Sequence, residues 1–228
     1  MPERTYTVVE STTDAIILQR RMRSLRKIKL VVGNTPGRII LTFSYPIPVM
    51  SQTQPDQIQL FELPTYTIEV SGIDDRGNSA YRTFEVYRFG IYNNDGSDTH
   101  YTKRGLFVAG LADDQKYTID RFDPGYSVHS ATSVEKGAWH VKDGFLIHDG
   151  PDTPMTAHNY LVEGLYASIG CIEVCGGPAG FDRFNEFIIS LSGTKKAGTE
   201  ALQEIGAAKI IDIHYLPASR PSLKIHKP

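Results

Sequence analysis

The strongest constraint on this chain's fold is a succession of short β-branched and aromatic runs, each stopped by a turn-forming cluster. Residues 5–10 (Thr-Tyr-Thr-Val-Val-Glu) and 38–45 (Arg-Ile-Ile-Leu-Thr-Phe-Ser-Tyr) read as strands. Residues 66–70 and 81–86 alternate apolar and polar side chains and flank Asp74-Asp75-Arg76-Gly77-Asn78, which predicts a hairpin. Further strands are predicted at 106–111, 116–122, 138–141 and 145–148. Asn93-Asn94-Asp95-Gly96, Asp123-Pro124-Gly125 and Asp143-Gly144 punctuate them. Short strands at this spacing predict a mainly β protein with a few helices, built as a sandwich or barrel. A helix is predicted from Ala15 towards Leu30, capped by Thr12-Thr13-Asp14. A second covers 181–191, where apolar residues 181, 184, 187, 188 and 191 have helical spacing. A third covers 199–207. Residues 209–216 read as a closing strand, followed by a basic, Pro-containing tail. Pro46, Pro48 and Pro55 mark a loop or linker. The expected organisation is a β-rich docking or accessory region over 1–80 and a catalytic domain over 81–228.

A chain of 228 residues buries a core without disulfides or metals. Its net charge of −2 gives no whole-molecule field towards nucleic acid or membrane. Residues 19–30 carry six basic side chains, which read either as a solvated face on a helix or edge strand or as a contact for an acidic partner. Without stacking aromatics nearby, they do not suggest nucleic acid. No apolar run is long enough for a transmembrane segment, and residues 1–6 lack a signal core. The expectation is a product made in the cytoplasm without a signal peptide.

The chemistry concentrates in residues 145–175. An apolar run delivers His148 into a polar loop, and Ser168-Ile169-Gly170-Cys171 presents a thiol before another apolar run. A cysteine attacks as thiolate and needs a base or a lowered pKa. Seven histidines are available: His100, His129, His140, His148, His158, His214 and His226. His148 is favoured as base because it ends a strand and opens a loop. His158 and His140 are substitutes, and His129 is a candidate for lining the site. Gly170 permits close approach of substrate and frees backbone N–H groups for an oxyanion. Ser168 is placed to bond the thiol, the base or the substrate. Asp149 and Tyr166 are candidate oxyanion or substrate contacts. Tyr166 and Trp139 serve equally well as packing or cleft wall.

Ile147-His148 followed by Ser168-Ile169-Gly170-Cys171-Ile172 resembles the L,D-transpeptidase catalytic domain, the YkuD-like family. The resemblance spans roughly residues 81–216. It implies a β-sandwich catalytic domain and a cysteine acyl-enzyme acting on peptidoglycan stem peptides, with no cofactor. Carried over, Cys171 is the nucleophile, His148 the base, and Gly170 with Cys171 part of the oxyanion hole. The chain departs from the family pattern in three places. Asp149 follows His148 where Gly is usual, and the His-to-Ser gap is longer. Glu173 stands where Arg or Asn is usual, so a cation for a substrate carboxylate would come from Lys142, Arg183 or elsewhere. These departures suggest a divergent branch, closer to secreted antibacterial effectors or phage-associated relatives than to housekeeping periplasmic enzymes, and the missing signal peptide agrees with an effector delivered by type VI secretion. That branch would act in the periplasm and meet a secretion-system component or an immunity protein.

Three other readings compete. Cys171 reads equally as a small buried hydrophobe, and Cys175 as structural. His148, His158, Cys171 and Cys175 have zinc-ligating chemistry, although the paired short spacings of structural zinc modules are absent. The chain also reads as a non-catalytic β module that binds cell wall or a partner.

Overall fold

The computed structural model describes residues 25–46, 59–99, 101–126, 137–142, 144–150 and 168–227. The described residues are mainly β, with two helices. The strands are β1 (Ile28–Val32), β2 (Ile39–Thr42), β3 (Ser44–Tyr45), β4 (Phe61–Pro64), β5 (Tyr66–Ile73), β6 (Ser79–Tyr87) and β7 (Gly90–Asn94). They continue with β8 (Gly105–Ala109), β9 (Gln115–Thr118), β10 (Arg121–Asp123), β11 (Ala138–Lys142), β12 (Phe145–Asp149) and β13 (Ile172–Val174). Helices α1 (Gly177–Ser192) and α2 (Gly198–Ala207) precede β14 (Ile211–Tyr215). Nine strands form one sheet in the order β10-β11-β12-β13-β6-β5-β1-β14-β9. β2 pairs with β4 in a second sheet, and β3-β7-β8 form a third.

The hairpin follows from its turn chemistry. The Asp74 carboxylate accepts from the amides of Arg76 (2.9 Å) and Asn78 (2.8 Å), and Gly77 supplies the positive φ of +84°. β5 and β6 then pair from Ile73↔Ser79 to Tyr66↔Val86. Tyr66, Ile68 and Val70 are buried on one face while Thr67 and Glu69 are exposed on the other. α1 packs against β5, β12, β13, β1 and β6 through Phe181, Phe184, Ile188 and Leu191. The sheet curls around this helix, so that β9 at one edge contacts β11 near the other.

The helix predicted from Ala15 towards Leu30 does not extend through residues 28–30. There the chain is β1, paired in parallel with β14 and antiparallel with β5. Buried Ile28, Leu30 and Val32 alternate with Lys29 and Val31, which is a period of two rather than 3.6. Residues 1–24, including the strand predicted at 5–10, lie outside the described residues. Two predicted strands are each split. Residues 38–45 divide at Phe43 into β2 and β3, which join different sheets. Residues 116–122 divide into β9 and β10, which lie at opposite edges of the large sheet. Because the sheet curls, Ile119 and Asp120 suffice to carry the chain between those edges. The final strand β14 is interior, between β1 and β9. Residue 80 lies within β6, and strands from both sides of it share the nine-stranded sheet.

Arg88 ties these parts together. It is fully buried, and its guanidinium donates to the carbonyls of Leu111 (3.1 and 3.0 Å), Gly33 (2.7 Å) and Leu216 (2.6 Å). The rings of Tyr66, Phe89 and Tyr215 lie within 6 Å of it. Three separate chain segments thus share one buried cation.

Candidate active site

The register between β12 and β13 sets the geometry of the site. The strands run parallel with Ile147↔Ile172, His148↔Glu173 and Asp149↔Val174 as partners. Side chains alternate along each strand. Ile147, Ile172 and Val174 therefore join the core on the α1 face, while His148 and Glu173 share the opposite face. Cys171 lies one residue before β13 on that same opposite face. It packs with Leu146 of β12, Ala138 of β11 and Tyr126. Cys171 and His148 are thus diagonal neighbours on adjacent strands, with Cα atoms roughly 8 Å apart from strand spacing and rise. The strands bring the two sequence-predicted reacting groups to one face.

A sharp turn delivers the thiol. Gly170 has φ +106°, and a Cβ there would lie 2.4 Å from the Cα of Gly110. The turn therefore presses against the end of β8, and only glycine fits. Ser168 is buried, and its hydroxyl accepts from the Gly170 amide at 3.0 Å. In this state Ser168 braces the turn, and the Gly170 amide is already engaged. Tyr101 donates from its hydroxyl to the Ile169 carbonyl at 3.0 Å. Arg220, from the tail, donates to the Gly110 carbonyl at 3.0 Å.

Cys171 is 7% exposed, and its thiol lies 4.0 Å from the Gly144 carbonyl. Burial pushes it up from 9.0 to about 12; Glu173 adds to the rise, and a backbone hydrogen bond with Leu146 opposes it. In this closed state the thiol is protonated at neutral pH. Ionisation then requires a base that takes the proton as the nucleophile acts. His148 is 1% exposed, and its Nδ1 lies 2.7 Å from the Asp149 carbonyl. With Nδ1–H donated there, Nε2 carries the lone pair of the neutral ring. The Asp149 carboxylate alternates onto the α1 face, so it is the backbone of Asp149 that orients the imidazole.

His140 sits one strand further out, in β11, with Nδ1 3.3 Å from Arg121 and Nε2 3.7 Å from Asp123. Burial, then the Arg121 charge, lowers its pKa. His129, His158 and Tyr166 lie outside the described residues. Trp139 is fully buried on the α1 face, donating to Asn185 at 2.9 Å, and is a core residue. Lys142 stacks over the Tyr117 ring at 5.3 Å, and Arg183 is exposed on α1.

Both cysteines are free thiols. Four residues of extended chain put them on the order of 13 Å apart. They therefore neither form a disulfide nor ligate one zinc ion together. The described residues contain no group of three or more His, Cys, Asp or Glu placed to hold a metal. Cys175 continues the ladder through its amide to the Glu85 carbonyl at 3.0 Å, and burial raises its thiol pKa.

Tyr101 and Tyr126 were not singled out in the sequence. Burial, then proximity to Cys171, pushes the Tyr101 phenol up to about 12 and raises that of Tyr126. Neither stands near Cys171 in sequence, and only the folded chain brings them to it. A groove of about 860 Å³ lies elsewhere on the outward sheet face, with Lys29, Glu69, Tyr81, Asp212 and His214 among its walls. No described helix is long and apolar enough to cross a membrane. Comparison with protein-family models, curated proteins and solved structures finds no match for this chain.

Proposed function

We propose that this chain is a cysteine acyl-transfer enzyme of the L,D-transpeptidase or L,D-carboxypeptidase type, acting on peptidoglycan stem peptides with a YkuD-like β-sandwich catalytic domain. The observation that carries this reading is the placement of Cys171 and His148 on one face of adjacent strands, the thiol following a glycine turn and the imidazole held by Asp149. In the proposed reaction the Cys171 proton passes to Nε2 of His148 as sulfur attacks the carbonyl preceding a terminal D-residue. The C–N bond breaks, and the departing amine takes the proton from His148. Water or a second amine then adds to the thioester, giving up its proton to His148 and releasing the thiol. Water gives trimming and an amine gives exchange or a crosslink.

The site is closed in this state, which fits an enzyme that ionises its thiol only with substrate bound. As an antibacterial effector delivered by type VI secretion, the protein would act in the periplasm, with an immunity protein as cognate inhibitor. Mass spectrometry of muropeptides after incubation with wild type and Cys171→Ala tests the reading. Loss of a terminal D-residue, or a new crosslink, is expected with wild type alone. Equal turnover by both proteins, or by neither, refutes it.

A further inference from the structure

Glu173 stands at the centre of the proposed site. It is 1% exposed and directly opposite His148, itself 1% exposed, in the β12–β13 register. Parallel partners lie about 4.8 Å apart and point the same way. On the other flank, Glu173 faces Tyr87 of β6. Cys171 and Cys175 lie two residues to either side on the same face, and both thiols respond to the Glu173 charge. A buried carboxylate beside a buried imidazole favours the charged form of each when they are paired. Arg38 is bonded to Glu85 at 2.8 and 2.7 Å, and Arg121 lies three strands away beside His140.

We propose that Glu173 is a positioning residue for His148: from the same face of the adjacent strand its carboxylate closes on the imidazole when the ring receives the proton from Cys171. The inference rests on the acyl-transfer reading of the same site and adds a third member to it. Asp149 supplies orientation through its carbonyl, and Glu173 supplies charge. Proton transfer alone would leave a cationic ring and an anionic sulfur in a site that excludes water. With Glu173 ionised, the imidazolium has a fixed partner. The same charge opposes premature ionisation of Cys171, so the thiol stays protonated until an electrophile arrives. Among the described residues, the other ionisable groups on this face are Tyr87, Cys175 and Glu85 with its partner Arg38, with Tyr126, Tyr101 and the Arg121–His140–Asp123 group at its margin.

The test is the titration of His148 in the full chain, followed by the ring-proton NMR signals. Glu173→Gln should lower the His148 midpoint by about one to two pH units, and Glu173→Asp should restore part of the shift. The pH profile of Cys171 alkylation, resolved from Cys175 by peptide mass spectrometry, should move by the same amount. An unmoved His148 midpoint in folded Glu173→Gln overturns the proposal. Should that variant not fold, the wild-type Glu173 carboxyl carbon must show a second inflection at the His148 midpoint, and its absence is equally decisive. These readouts need no substrate. A shifted midpoint without stem-peptide turnover keeps the pair and removes the acyl-transfer reading. Turnover with an unshifted midpoint does the reverse.

Discussion

The Ser168–Cys171 turn is held by contact as well as by its own conformation, and Gly170→Ala separates the two. At φ +106°, an alanine carries a backbone cost of about 1–3 kcal/mol. The added Cβ also meets Gly110 Cα at 2.4 Å and Gly110 N at 2.6 Å. Those atoms are main chain and cannot rotate away, so β8 or the turn must shift, which adds about 1–3 kcal/mol. The sum is about 2–6 kcal/mol. For a chain of this size, ~3 kcal/mol lowers Tm by about 6–12 °C. Gly77→Ala is the internal control. It has φ +84° and nothing within 4 Å of its would-be Cβ, so it carries the backbone cost alone. Calorimetry of both variants isolates the contact. Gly170→Ala should also loosen the turn locally and speed alkylation of Cys171 by about 5–30-fold, the factor that 1–2 kcal/mol implies. Equal losses in the two variants would show that the turn does not press on Gly110, and the reasoning about how the thiol is positioned would fall with it.

Two further outcomes follow from buried groups. Arg88→Met should cost about 3–5 kcal/mol by urea denaturation, because it strands the carbonyls of Leu111, Gly33 and Leu216; Arg88→Lys, which keeps the charge without the fork, should recover only part, and a loss below about 1 kcal/mol refutes the role. The raised thiol of Cys171 predicts alkaline destabilisation, since ionisation near pH 9 in the unfolded chain and near 12 in the folded one means that the contribution is whole below pH 9 and is lost between 9 and 12. From pH 8 to 10, wild type should therefore lose about 1.4 kcal/mol more than Cys171→Ala; identical pH slopes contradict the buried thiol.

Much of the local structure was legible in the chain. The β5–β6 hairpin was readable because Asp74 and Gly77 make its turn chemistry explicit. α1 was readable because Phe181, Phe184, Ile188 and Leu191 repeat at helical spacing. Where two elements lie within one apolar run the signal fails. Residues 38–45 and 116–122 each look continuous, and nothing local announces that their halves join different sheets or opposite edges. The basic residues before β1 obscured a period-two strand that becomes obvious only between β5 and β14. At the site, Cys171 and His148 were identifiable from residue chemistry and their Gly-bearing context. Tyr101 and Tyr126 were not, because a phenol carries no sequence mark of where it will pack.

What the sequence by itself determined is the inventory: mainly β elements, two C-terminal helices, two thiols four residues apart and a histidine ending a strand. These follow from alternation, turn residues and covalent spacing, all local properties. The tertiary structure decided the pairings. Register alone puts Glu173 opposite His148 and turns Asp149 to the other face, because a shift by one residue exchanges the faces of a strand. It also decided that the turn before Cys171 rests on Gly110, some sixty residues earlier in the chain. Such contacts depend on how the sheet curls around α1, a property of the whole sheet that no short stretch encodes.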